Sequence, residues 1–209
     1  MNTHAVIPFV ALIAYLGLLG VLVANHRWEQ KHKLFLAFIM VAFLYSFTDL
    51  FVRGDFLMGH KRLLTQIGIS AAIWTVVQYH YFIRPYFSRT PVRLPLAYGF
   101  VLAVVTLCAI GLVPREAIVT EQGVTVHYGL PLLLLATLIL VVLGVRDGME
   151  LFRTHRIAVD AAERNQIAYL IITIVLFSVF MLASFMPPLG SYPVAHIGNL
   201  LVACVLGYA

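Results

Sequence analysis

Apolar stretches about as long as a bilayer is thick alternate with short polar breaks along the whole chain. A helix needs about 20 apolar residues to cross the hydrocarbon core. Seven stretches meet or approach that length: residues 5–24, 34–52, 63–83, 94–113, 129–152, 163–186 and 193–209. The fifth is apolar from Gly129 to Val145 and continues as an amphipathic extension to Phe152. The pattern predicts an all-α membrane protein, a seven-transmembrane helix bundle forming one domain over residues 1–209.

Two breaks have their own character. Ala117 to Tyr128 reads AIVTEQGVTVHY, with Ile118 and Thr120, then Val124, Val126 and Tyr128, alternating around Gln122-Gly123. This period-two spacing predicts a short outer β-hairpin between helices four and five, with an irregular loop as the alternative. Pro187-Pro188-Leu189-Gly190-Ser191-Tyr192-Pro193 predicts a rigid turn.

Composition strengthens the membrane reading. The chain is 62% hydrophobic and 11% charged, whereas a soluble domain is about half apolar and about a quarter charged. The net charge of +5 sits in short loops between apolar runs. It therefore points to anionic lipid headgroups and not to nucleic acid. Arg27, Lys31, Lys33, Arg84, Arg89, Arg93, Arg146, Arg153, Arg156 and Arg164 fall on one side; only Arg53, Lys61, Arg62 and Arg115 fall on the other. Basic residues favour the cytoplasm, so the N-terminus is expected outside and the C-terminus inside. Cys108 and Cys204 both lie in apolar runs and read as small buried hydrophobes.

Polar residues within the spans are the candidate chemistry, because lipid penalises them. Asp49 lies in the outer third of helix two, four residues before Arg53. Either this is a pair that ends the helix, or it is an ionisable wall of an outward-facing pocket. Gln66 on helix three, and His196 and Asn199 on one face of helix seven, fall at similar depth, with Tyr192 just before. Asp49, Gln66, Tyr192, His196 and Asn199 are the candidate ligand-binding set; separate interhelical hydrogen bonds are the alternative. Trp74, Gln78, Tyr79, His80 and Tyr81 read as an interfacial belt. Asp147, Glu150, Asp160 and Glu163 among four arginines read as a solvated face, or as a surface that couples to another domain. Gly144 and Gly148 suggest a close helix contact or a dimer face.

No catalytic or metal constellation emerges, so no enzyme activity and no cofactor is expected. His80 and His196 lie near opposite surfaces and cannot share a haem, and Lys31, Lys33 and Lys61 all fall in loops, which disfavours a retinal linkage.

Three stretches carry a resemblance: GVTVHYGLPLLLLATLILVVLGVRDGMELF, AERNQIAYLIITIVLF and PPLGSYPVAHIGNLLVACVLGYA. Together they resemble the seven-helix N-terminal sensor region of bacterial histidine kinases, found also before cyclic-dinucleotide synthases. The resemblance implies a multi-pass protein of the bacterial inner membrane that binds a small or lipid-like extracytoplasmic ligand. It also implies a homodimer and a cytoplasmic kinase or cyclase output domain. The chain stops at Tyr208-Ala209 with no such domain, so a truncated fragment or a stand-alone relative is expected. A transporter or channel is the rival class, though inverted repeats and midplane charges are missing; a helical scaffold without ligand is another.

Overall fold

The computed structural model describes residues 3–24, 29–54, 58–86, 95–114, 116–120, 123–184 and 194–208. Among the described residues there are seven helices: α1 (Thr3–Ala24), α2 (Gln30–Arg53), α3 (Lys61–Ile83), α4 (Pro95–Ala109), α5 (Leu130–Ile157), α6 (Ala161–Ser184) and α7 (Val194–Tyr208). Strands β1 (Glu116–Thr120) and β2 (Gly123–His127) pair antiparallel, Glu116 opposite His127 and Thr120 opposite Gly123. The hairpin lies against α2 and α3.

Helices α1, α2, α5 and α6 are each long and apolar enough to cross a membrane. Helices α4 and α7 are apolar but have 15 residues each, a length of about 22 Å. The predicted fourth run extended to residue 113, but the helix ends at Ala109. Gly111 there adopts φ +77°, a left-handed conformation that glycine reaches without strain and that closes helices. Helix α3 has 23 residues but carries many polar side chains. Its position explains them. It packs on α2, α4 and α5, and every residue from Thr75 to Ile83 is buried. A helix enclosed by protein does not need an apolar surface on every side.

Sequential helices are neighbours, and α7 returns against α1 to close the bundle. The core is aromatic where α2, α3 and α6 meet. Phe38 and Tyr79 meet edge to face at 5.6 Å, and Tyr79 stacks on Phe177 at 6.0 Å, both favourable ring geometries. Hydroxyls within helices mostly satisfy themselves: Thr65, Ser70, Thr75, Thr137 and Ser184 each donate to the carbonyl four residues back.

Lys61, expected in a loop, is the first residue of α3 and is 5% exposed. Its ammonium donates to the carbonyls of Phe51 (2.9 Å) and Val52 (2.8 Å), and to that of Gly54. These carbonyls end α2 without helical partners, and a cation there also opposes the negative end of the helix dipole. One side chain thus joins α2 to α3.

Helix α5 has two faces. Leu130, Leu134, Leu138, Val141, Val145, Met149 and Phe152 form an exposed apolar stripe, while Leu132, Ala136, Ile139, Leu143, Asp147 and Leu151 form the buried one. From Ile139 onward the buried residues are spaced by four. Each such step overshoots an α-helical turn by about 40°, so three steps would carry Leu151 about 120° around. Residues Leu140–Val145 form a wider π-helical segment, whose i→i+5 bonds absorb that drift. Gly144 faces Ser178 of α6 in ordinary contact, and Gly148 faces open space, so Gly144 serves a contact within the chain.

Gly198 of α7 has no such latitude. A Cβ there would lie 2.7 Å from Phe180 Cγ and closer still to its Cβ. Gly198→Ala is expected to force α6 and α7 apart and destabilise the bundle by about 1–3 kcal/mol, whereas Gly148→Ala should leave the thermal unfolding midpoint unchanged or slightly raised. Equal midpoints for the two variants would refute the packing described for α6 and α7.

Candidate functional site

The C-terminal end of α2 and the N-terminal end of α7 meet through charge. Asp49 Oδ2 accepts from Arg53 Nε at 2.6 Å, one helical turn along α2. The same oxygen lies 2.9 Å from His196 Nε2 of α7, a close contact that is bent away from the line of a good hydrogen bond. Side-chain exposure is 15% for Asp49 and 1% for His196. On the far side of the ring, Ser46 Oγ lies 3.2 Å from His196 Nδ1. With Nε2 carrying its proton toward Asp49, Nδ1 accepts from Ser46. Tyr45 stacks on the imidazole, centroids 4.2 Å apart and planes within 16°. The ring is thereby fixed on three sides.

Asp49 and Arg53 line a cavity of about 100 Å³. Its walls come from five helices: Tyr45 and Val52 of α2, Thr65, Gly68, Ile69 and Ile73 of α3, Leu132 of α5, Met181 and Ser184 of α6, and Ala195 of α7. Tyr128, just after the hairpin, completes it. Burial pushes the Tyr128 phenol above its usual value, against the pull of Arg53 and with the push of Asp49; the group is a neutral hydroxyl at physiological pH. The cavity is apolar over most of its wall with Asp49 and Arg53 at one end, and its volume admits only a group of a few heavy atoms. A second void of about 40 Å³ shares Tyr45, Ala72, Met181 and Ala195 with the first and reaches Asn199.

The predicted set therefore divides. Asp49 and His196 are in contact, and Asn199 is buried at 6% exposure one turn inward. Gln66 shares their depth but turns away: its amide donates to the carbonyls of Cys108 (2.9 Å) and Val113 (3.5 Å) at the end of α4. It serves the carbonyls left where α4 stops, not the cavity. Tyr192 lies outside the described residues.

The expected aromatic belt is also redistributed. Trp74 is partly exposed, but Tyr79, His80 and Tyr81 are each 5% exposed and inside the bundle. Tyr79 donates to the Leu170 carbonyl at 3.2 Å and bonds Thr173 Oγ1, and Gln78 Oε1 accepts from Tyr98 at 2.9 Å. Asp147, read as solvated, is buried and meets His80 Nδ1 at 2.6 Å. The signal for it was present: Asp147 occupies a slot in the apolar series Ile139, Leu143, Leu151. Among the described residues, no three His, Cys, Asp or Glu side chains converge as metal ligands.

Comparison with known protein families and with curated proteins finds no match to this chain. The reading of the site therefore rests on its geometry.

Removing the Asp49 carboxylate leaves His196 facing a void and Arg53 without its shortest contact. Asp49→Ala is expected to cost about 3 kcal/mol, the low end for opening a buried ion pair. In a double-mutant cycle with His196→Ala, measured by reversible unfolding in detergent, a coupling of about 1–3 kcal/mol is expected. Strict additivity would mean that α2 and α7 are not joined here.

Proposed function

We propose that this chain is a transmembrane sensory input domain of the bacterial histidine-kinase receptor type. In this reading all seven helices cross the inner membrane, with the N-terminus outside and the C-terminus in the cytoplasm. Helix α3 can cross because protein, more than lipid, surrounds it, and α4 and α7 lie beside longer spans. The hairpin then covers an outward-facing cavity that binds a small or lipid-like ligand. A kinase or cyclase output domain receives the signal, and two copies act together, as the sequence resemblance implies.

The observation that carries this reading is the Asp49–His196 contact at the edge of the cavity. It joins α2 to α7, and α7 is the helix closest in sequence to a following domain. A ligand with a polar end at Asp49 and an apolar body against Ile69, Ile73 and Met181 competes for the carboxylate that His196 contacts. Differential affinity for the joined and parted arrangements shifts their populations. Asn199, one turn deeper on α7, carries the displacement inward.

Two measurements test the reading. Protein extracted directly into lipid nanodiscs is expected to retain one small amphiphile per chain, detected by mass spectrometry, and Ala72→Trp, which fills the space between the two voids, is expected to lose it. Cysteine labelling from each side should find the termini on opposite faces. Termini on the same face, or a retained molecule indifferent to Ala72→Trp, would overturn the proposal.

A further inference from the structure

A second histidine–aspartate contact sits toward the C-terminal end of α3. His80 Nδ1 and Asp147 Oδ2 are 2.6 Å apart, and both side chains are 6% exposed. The exposed apolar stripe of α5 continues to Phe152, about 7 Å beyond Asp147 along the helix, while Arg146 and Arg153 are exposed beside it, so Asp147 is a carboxylate buried at the amphipathic end of its helix. Asp147 also lines a void of about 20 Å³ with Val76, Tyr79, Gly144 and Phe177, room for one water. The wide π turn comes directly before it, a form frequent at functional sites. A buried ion pair is often no more stable than an apolar pair of the same size. A buried ionisable pair of this kind is therefore a functional candidate.

We propose that His80 and Asp147 form a buried proton-binding site whose proton decides which partner Asp147 takes, His80 within α3 or Arg84 at its end. The receptor reading is not needed for this inference. With one shared proton the pair is neutral overall, as imidazolium and carboxylate or as imidazole and carboxylic acid. Loss of that proton leaves one net negative charge, which low-dielectric surroundings penalise. The charged groups facing Asp147 are Arg84, in the turn after α3, and Arg146 of α5. Among the described residues, α6 presents hydroxyls here, Thr173, which holds Tyr79, and Ser178. One guanidinium nitrogen of Arg84, Nη1, is buried without a hydrogen-bond partner. On deprotonation, Asp147 exchanges His80 for that nitrogen, which donates to it. Rising pH thus moves the α5 contact about one turn along, from His80 within α3 to Arg84 at its end, and falling pH reverses the move.

Difference infrared spectroscopy of the whole chain in phospholipid nanodiscs tests this, titrated from about pH 5 to 8 and following the carboxylic-acid and imidazolium bands. One proton more is expected to titrate in the native protein than in Asp147→Asn, against the common background of the other histidines. Arg84→Gln removes the alternative partner, so its midpoint is expected to rise by roughly one unit. A native titration identical to that of Asp147→Asn would sink the site. An unmoved midpoint in Arg84→Gln would overturn the exchange. Circular dichroism at each pH confirms that the variants remain helical.

Discussion

A polar group at the depth of lipid must find its partner inside the protein. That constraint organises this bundle around α3. Lys61 serves the carbonyl end of α2, Gln66 that of α4, Gln78 the hydroxyl of Tyr98, Tyr79 that of Thr173, and His80 the carboxylate of Asp147. Four helices around this polar rod keep an apolar surface long enough for a bilayer. The interior remains largely apolar, and its polar groups are gathered along α3, where each finds a partner.

The two histidine–aspartate contacts stand toward opposite ends of α3. Each joins helices distant in sequence: α2 with α7 at one end and α3 with α5 at the other. Small voids lie between them, each sharing walls with the next; Tyr45, Ala72 and Met181 border the first two, and Val76 and Phe177 the second and third. Close-packed interiors resist small shifts. A seam of gaps beside Phe177 and Met181 gives side chains room to change rotamer without moving a whole helix. Local repacking is therefore easiest along the line between the two histidine–aspartate contacts.

Much of this was legible in the sequence. Helix positions followed from apolar run length, and the Asp49–Arg53 pair from its four-residue spacing. His196 was placed beside Asp49 by depth alone. Depth failed for Gln66, because it gives height along a helix and not direction around it; the early stop of α4 at Ala109, which attracts the Gln66 amide, depends on Gly111 and is not a hydropathy signal. His80 and Asp147 were read separately, one as surface aromatic company and the other as a solvated charge. Pairing them requires knowing that α5 continues unbroken to Ile157 and that its π turn directs Asp147 inward.

The lysine that joins α2 to α3 bears on how such a chain enters a bilayer. Where all seven helices cross, α3 is a poor candidate to leave an aqueous translocation channel alone, since Gln66, Gln78 and His80 would meet lipid unaccompanied. Helix α2 precedes it, is apolar enough to partition unaided, and offers the very carbonyls that Lys61 takes up. Biogenesis is thereby simplest as the release of a preassembled helical hairpin, in which the first helix to arrive serves as solvent for the second.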